Sequence, residues 1–309
     1  MTPEPSGEAS RRLPAGDEIF LDHVAHFVRD AEAASRALER AGFSPTPVSI
    51  QVNSDGAGGS VPTGTGNITA MFMRGYTEVL FKTADTALTR EFDAALARHA
   101  GLHLAAFSVA DAAKARARLA AAGFAVRELV RMQRPVETAT GNATADFRIA
   151  RVEPGTMPEG RIQILTHKTE GAVWQPRWLS HPNSVSDLID VVIAVADIEE
   201  AAGRFARFTG RPATPTLGGA LIPLDRGGVY LLTPERAKEK LPEVPVTSLP
   251  FMIGYALGVK SLAAAEVVVE TADLDWRAFD DGIVATFPAE LGEGAWFFVE
   301  KPSDLPWRR

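Results

Sequence analysis

One pattern occurs twice in this chain, and it restricts the fold more than any other feature does. Leu21-Asp22-His23-Val24-Ala25-His26-Phe27 opens a segment that closes on Ala41-Gly42-Phe43. Gly101-Leu102-His103-Leu104-Ala105-Ala106-Phe107 opens another that closes on Ala122-Gly123-Phe124. In each, a histidine stands four residues ahead of a phenylalanine in a short apolar run, and an aspartate then starts an alanine-rich amphipathic stretch. His23 and His103 lie 80 residues apart, the period of a duplication. Repeated units of this kind bury their hydrophobic faces against one another.

Within the first unit, alternation over residues 19–28 predicts a strand with His23, Ala25 and Phe27 on one face and Val24, His26 and Val28 on the other. Asp30 suits an N-cap, and strong helix formers run from Ala31 to Ala41 until Gly42 stops them. Val48–Val52, Ile68–Met73 and Thr77–Phe81 read as strands, with a glycine-rich loop over Asp55–Asn67, so the order is β-α-β-β-β. Residues 83–100 read as a connecting helix. The second unit repeats the order with strands at His103–Val109, Val126–Met132, Ala145–Arg151 and Arg161–Thr166 around a helix at Asp111–Ala122.

A third unit follows, with a strand at Leu188–Val195, a helix from Asp197 to Thr209-Gly210, and strands at Ala220–Leu224 and Val229–Leu232. A fourth starts near Phe251, with strands expected at Glu266–Glu270, Gly282–Thr286 and Trp296–Glu300. The fold class is therefore α+β, built from repeated β-α-β-β-β units. The expected organisation is a disordered leader over 1–17, an N-terminal domain over 18–170, a linker over 171–187 and a degenerate C-terminal domain over 188–309. A chain of 309 residues, 46% hydrophobic, is large enough for two such cores.

Composition narrows the function classes. A net charge of −7 disfavours nucleic acid as a partner, because phosphate binding needs clustered Lys and Arg. With no cysteine, disulfides and thiolate metal sites are excluded, leaving imidazole, carboxylate and amide donors. No apolar run reaches the ~18 residues of a membrane span, and residues 1–17 lack the apolar stretch of a signal peptide, so the expected location is the cytoplasm. Asp55-Gly56-Ala57-Gly58-Gly59-Ser60 has neither the Gly-Lys-Ser/Thr ending nor the following helix of a phosphate loop, and reads as a loop that closes over a substrate.

Repeated β-α-β-β-β units with a histidine on the first strand and a glutamate on the last resemble the vicinal oxygen chelate superfamily, which includes glyoxalase I, extradiol dioxygenases and several epimerases. Thr63-Gly64-Thr65-Gly66-Asn67, Gly75-Tyr76-Thr77-Glu78, Trp174-Gln175-Pro176 and His181-Pro182-Asn183 resemble its glyoxalase-like branch. The resemblance implies units paired into half-open curled sheets, two such domains in this chain, with one pair curled around one divalent ion that takes ligands from the first and last strands. Here those positions are His23, Glu78, His103 and Gln163, and the last-strand pair is 85 residues apart. Two imidazoles, a carboxylate and an amide suit Fe, Mn, Ni, Co or Zn as the cofactor. His23 precedes Asp30 by seven residues, whereas His103 precedes Asp111 by eight. Matching the helices therefore puts Leu104 in place of His103; matching Phe27 to Phe107 keeps His103 and requires a bulge after it.

Other candidates surround this set. His167 shares a strand face with Gln163 and suits an acid or base. Glu78 is the other candidate base, since Gln163 takes up no proton at neutral pH. Asn67 suits a substrate hydrogen bond, and Arg148 and Arg161 an anionic substrate group. His26 is expected against a helix, His99 at a helix C-terminus and His181 with Asn183 in a linker turn. In the second half, Asp190, Tyr230 and Phe297 or Phe298 take the ligand positions, so that half is expected to supply structure, a homodimer surface or a lid. The resemblance implies a small-molecule substrate chelated by the metal in a lyase, isomerase or epimerase. A non-haem iron dioxygenase and a metal-free binding or resistance protein are the alternatives.

Overall fold

The computed structural model describes residues 12–54 and 59–309. Residues 1–11 of the expected leader, and Asp55-Gly56-Ala57-Gly58 of the expected closing loop, lie outside the described residues. The first unit comprises β1 (Ile19–Phe27), α1 (Ala31–Arg40), β2 (Ser49–Ser54), β3 (Ser60–Met71) and β4 (Tyr76–Lys82), and α2 (Ala87–Arg98) leads out of it. The second comprises β5 (Gly101–Val109), α3 (Ala112–Ala121), β6 (Val130–Thr138), β7 (Gly141–Arg151) and β8 (Arg161–His167). After α4 (Glu170–Val173) come β9 (Val185–Ala194), α5 (Ile198–Thr209), β10 (Thr214–Thr216), β11 (Gly219–Pro223), β12 (Gly228–Leu232) and α6 (Pro234–Lys240). The last unit comprises β13 (Phe251–Val259), α7 (Leu262–Thr271), β14 (Trp276–Phe279), β15 (Gly282–Thr286) and β16 (Ala295–Val299).

The α+β class with two eight-stranded curled sheets is as expected, but the two sheets curl to different extents. The first closes into a barrel in the order β1-β4-β3-β2-β6-β7-β8-β5. Its two seams are the antiparallel β1–β5 pair and a short β2–β6 pairing of Val52 with Gln133 and Asn53 with Met132. The second sheet, β10-β11-β12-β9-β13-β16-β15-β14, stays open. Closure follows from length: β3 has 12 residues and β7 has 11, whereas β11 and β15 have five each. The long hairpins reach round far enough to meet; the short ones do not.

Helix starts obey local chemistry. The side chains of Asp30, Asp111, Asp197 and Ser261 each accept a backbone N–H of the first turn of α1, α3, α5 and α7. The last of these corrects a reading: Glu266–Glu270, expected as a strand, lies inside α7. The Ser261 cap and the burial of Ala265 and Val269, four apart, outweigh the strand propensity of Val267-Val268-Val269. The strand expected at Val126–Met132 begins only at Val130; before it a single bridge joins Val126 to Val152. Residues 12–17, expected as leader, are held against the fold: Arg12 Nε donates to the Met73 carbonyl, Arg226 to that of Arg12 and Arg211 to that of Asp17.

One apolar core joins the outer faces of both sheets, with α1, α3, α5 and α7 contributing Leu38, Leu119, Phe205 and Val269. His26 lies in this core rather than against a helix. Its Nδ1–H donates to the Leu291 carbonyl (2.9 Å), and the Tyr255 hydroxyl bridges His26 Nε2 (3.1 Å) and Thr77 Oγ1 (3.0 Å). A separate core fills the barrel interior, with Ala25, Phe27, Leu80, Leu104, Ala106, Phe147 and Leu165. Trp174 closes one barrel end, donating its indole N–H to the Phe72 carbonyl (3.1 Å) and packing on His167 and Tyr76. Among the described residues, no helix is long and apolar enough to cross a membrane.

Candidate functional site in the barrel lumen

Two β-bulges on one pair of strands decide which groups enter the lumen. Where β1 meets β5, Leu21 pairs with Phe107 and His23 with Ala106, so Asp22 is an extra residue. A bulge turns neighbouring side chains to one side, and Asp22 and His23 meet: His23 Nδ1–H donates to Asp22 Oδ1 at 2.8 Å. Farther along, Ala25 pairs with Leu104 and His26 with Leu102, so His103 is the extra residue on β5. Leu104 then faces the lumen. The His103 ring packs on His99 and Phe27, and its Nε2–H donates to the His99 carbonyl at 2.8 Å.

The register confirms the assignment by symmetry. Glu78 on β4 pairs with Ala25, two residues after His23, and Gln163 on β8 pairs with Ala106, two residues after Leu104. The counterparts related by the duplication are thus His23 with Leu104 and Glu78 with Gln163. His103 is not brought to His23, Glu78 and Gln163. The helix-matched alignment is the one the backbone follows.

The remaining lumen groups form a connected network. Tyr76 stacks on His23, with centroids 4.4 Å apart and planes inclined at 19°. His23 Nε2 faces Glu78 Oε2 at 3.7 Å, too long for a hydrogen bond, which leaves both atoms available to a third group. Glu78 Oε1 accepts from Asn67 Nδ2 and, at 3.2 Å, from Gln51 Nε2, whose own carbonyl accepts from Thr65 Oγ1 at 2.8 Å. Period-2 alternation along Thr63-Gly64-Thr65-Gly66-Asn67 points these polar groups inward. Gly66 faces the other way, where an added Cβ would stand 2.7 Å from the Phe81 ring. His167 lies behind the network: its Nε2–H donates to Asp22 Oδ2 at 2.9 Å and Trp174 covers its ring, so it acts through Asp22.

Burial alone would raise the Asp22 pKa. Attraction to His167 and the hydrogen bonds from His167 and His23 outweigh it and hold the carboxyl well below the usual carboxylate range. Burial, together with Asp22 and Glu78, pushes the Tyr76 hydroxyl well above its ordinary value, so it stays protonated.

Three arginines point to what the lumen accepts. Arg134 on β6 is only 5% exposed and makes no hydrogen bond or ion pair with any described residue. Glu78 attracts it from beyond ion-pair distance across the same cavity, but a buried guanidinium with no direct partner costs several kcal/mol, so its natural complement is a ligand. Arg151 donates through Nε to Gln163 Oε1 at 3.0 Å, and Arg161 lies over the Phe27 ring at 5.3 Å. Burial and then the like charge of Arg161 lower Arg151 to about 9. Asn67 Oδ1 is also buried without a partner. A cavity of about 30 Å³, bordered by His23, Gln51, Asn67, Glu78, Arg134 and Gln163, lies between these groups. Such a volume holds about one water.

The donor set does not fit a divalent cation. His23 and Glu78 remain, the Gln163 oxygen already accepts from Arg151, Leu104 occupies the fourth corner, and Arg134, Arg151 and Arg161 border the same cavity. A +2 ion would meet one carboxylate and three cations. Among the described residues, no three His, Asp or Glu side chains are grouped to hold a metal.

Other candidate residues have structural partners. Arg148 faces away from the lumen and donates to Asp146 Oδ1 at 2.9 Å, so it is not at the site. His181 Nε2–H donates to the Met71 carbonyl and its Nδ1 accepts from Ser44 N; Asn183 bonds the Ala41 carbonyl. His99 ends α2, but burial and then Arg98 lower it to about 4, so it carries no charge there at neutral pH. The sequence reading missed Asp22, Gln51, Tyr76, Arg134 and Arg151. One signal was present: alternation of Met132, Arg134 and Val136 places an arginine on an apolar strand face.

The glyoxalase-like domain family matches residues 21–209 of this chain. No curated protein matches the sequence. Among solved structures, a hypothetical protein from Staphylococcus aureus superposes with a TM-score of 0.59 at 8% identity, covering 91% of this chain and 98% of that one. A triple mutant of 4-hydroxymandelate synthase from Streptomyces coelicolor gives 0.54 at 13% identity, covering 94% and 96%. The Mn(II)-bound glyoxalase from Novosphingobium aromaticivorans gives 0.51 at 13% identity, covering 92% and 82%. At these identities the likeness is one of fold.

Proposed function

This chain belongs to the glyoxalase-like domain family of the vicinal oxygen chelate superfamily, and from that premise we propose that the barrel lumen transfers a proton within a small oxygenated organic acid. The reaction is an isomerisation or epimerisation next to a carbonyl, run by side chains without a resident divalent ion. One observation carries this reading: His23 Nε2 and Glu78 Oε2 face each other across 3.7 Å beside the unpaired Arg134.

Each group has a role set by its neighbours. Asn67 and Gln51 tie down one Glu78 oxygen and leave Oε2 to accept a proton from carbon. The electron pair moves onto the carbonyl oxygen, where the Arg134 guanidinium meets the developing charge. Asp22 holds His23 in the tautomer that presents Nε2, so the imidazole passes a proton across the gap. The proton returns to the substrate at a neighbouring atom or on the opposite face, and no co-reactant is consumed. The dioxygenase alternative needs two imidazoles at one ion, and His103 stands at the bulge instead.

Solvent-proton exchange is the direct test. The full-length protein, incubated in D2O with a panel of 2-oxo and 2-hydroxy carboxylates, is expected to exchange the C–H next to the carbonyl of at least one member, read by NMR. E78Q is expected to slow that exchange by roughly 10²–10⁴-fold. Binding of the panel with no exchange by the wild type would leave a sequestration protein, and unchanged exchange in E78Q would remove Glu78 as the base.

A further inference from the structure

A second and larger cavity, about 440 Å³, opens at the α2 end of the barrel. Its apolar wall comes from Phe27, Ala95, Met157, Pro158 and Ile162, and Arg151 and Arg161 form its floor. The same two arginines border the 30 Å³ lumen cavity beyond. The guanidinium pair therefore stands between a roomy apolar vestibule and the catalytic groups. The acidic side chains of the vestibule, Glu91 and Glu153, are both bonded to Arg127, at 2.8 and 3.1 Å, and Glu91 attracts Arg151 and Arg161 only from beyond ion-pair distance. Neither Arg151 nor Arg161 has a described carboxylate within ion-pair distance. Arg98, the remaining basic group of the wall, donates to the Pro158 and Pro250 carbonyls.

The backbone is shaped for this arrangement. Gly160, at φ +153°, lies against the His103 carbonyl, where an added Cβ would stand only 2.5 Å away. This close approach seats Arg161 at the start of β8, over Phe27. The bulge that withdraws His103 from the lumen places its ring in the vestibule wall.

We propose that the vestibule and the arginine pair form the substrate subsite for an organic acid with an apolar body, its carboxylate held by Arg151 and Arg161. Two adjacent guanidinium groups match the two oxygens of a carboxylate, and burial strengthens the pairing. A vestibule of 440 Å³ takes a body of aryl or branched-alkyl size. The subsite rests on the proton-transfer reading and deepens it by anchoring the acid at the mouth of the lumen that holds Glu78.

Phenylpyruvate and phenylacetate are suitable probes, with pyruvate for the body and phenyl phosphate for the head group. Titration calorimetry on the full-length protein is expected to show phenylpyruvate binding at least tenfold more tightly than pyruvate. R151Q and R161Q are each expected to weaken it at least tenfold, while E78Q still binds. Ala94→Trp, on the vestibule wall, is expected to weaken phenylpyruvate but not pyruvate. Thermal melts check that each variant folds. Equal binding by R151Q and R161Q variants that fold, or binding of phenyl phosphate in preference to both carboxylates, would overturn the assignment. Because E78Q separates binding from exchange, failure of the subsite and failure of the proton-transfer reading give different patterns.

Discussion

The barrel and the open C-terminal sheet carry the same four strand positions and use them in opposite ways. In the barrel they are His23, Glu78, Leu104 and Gln163; in the open sheet the register puts Asp190, Tyr230, Gly254 and Phe297 there. Asp190 is buried, but the Trp307 indole N–H and the Arg308 guanidinium satisfy it, the first and Arg308 Nε both at 2.7 Å. Tyr230 stacks on Trp307 at 4.6 Å with planes 4° apart, and Phe297 packs on its edge. Leu241, Val244 and Leu305 fill the rest of the concave face. The barrel instead keeps Asn67 Oδ1 and His167 Nδ1 without partners, and holds the buried Arg134 guanidinium with Glu78 only beyond ion-pair distance. Polar groups left unpaired inside a fold cost stability, on the order of 1–3 kcal/mol each when neutral, and are retained where a ligand uses them. One curled scaffold thus serves as a site where it leaves polar groups open, and as a core where it satisfies them.

The sharpest way to break this comparison is to change matched positions. E78Q is expected to remove two or more orders of magnitude of proton exchange, while Y230F, its counterpart in the open sheet, leaves exchange within twofold, both measured by NMR in D2O. Comparable losses from the two variants would show that the open sheet also takes part in the reaction. Next in size is W307A, expected to cost about 3–5 kcal/mol of stability by emptying the concave face and freeing the buried Asp190. Denaturant unfolding measures the loss, and calorimetry is expected to find phenylpyruvate affinity unchanged.

The shared interior gives a pH dependence. Burial lowers His26 from 6.5 to about 4, against a smaller upward effect of its bond to Leu291. A histidine lowered in the native state is neutral there and protonated in the unfolded chain between those values. Its stabilising contribution is present above pH 6.5 and lost as pH falls toward 4. A shift of this size corresponds to roughly 3 kcal/mol. Unfolding midpoints at pH 7, 5.5 and 4.5 are expected to fall, and H26Q to flatten the dependence; an unchanged slope would place the sensitivity elsewhere. The smallest expected effect concerns metal. Wild-type protein exposed to Mn2+ or Zn2+ and then desalted is expected to keep well under one ion per chain by elemental analysis. One tightly held ion, lost in H23A, would restore a metal-centred reading.

Much of the fold was legible because it rests on local rules. The Asp and Ser caps of α1, α3, α5 and α7, the period-2 faces of β1 and β8, and the repeated strand–helix pattern all appear in the chain without knowledge of its partners. That His23, Asn67, Glu78 and Gln163 come to line one cavity was legible for the same reason, each lying on a strand face that can be followed by alternation. Arg148 was misread because alternation gives two faces and does not say which is inside. Glu266–Glu270 was misread because a cap and a buried stripe outweighed β-branched propensity.

The sequence by itself determined the duplication, the element order and the kinds of groups available. Cysteine was absent, and imidazole, carboxylate and guanidinium were present in an apolar frame. Only the tertiary structure decided which of these groups meet. A bulge is an event of pairing: it exists where one strand spends an extra residue against its neighbour, and no single strand records it. The extra residue at Asp22 supplied His23 with its partner, and the one at His103 gave its place to Leu104. One residue of register on each strand separates a metal-type ligand set from a lumen of one carboxylate, one imidazole and three arginines.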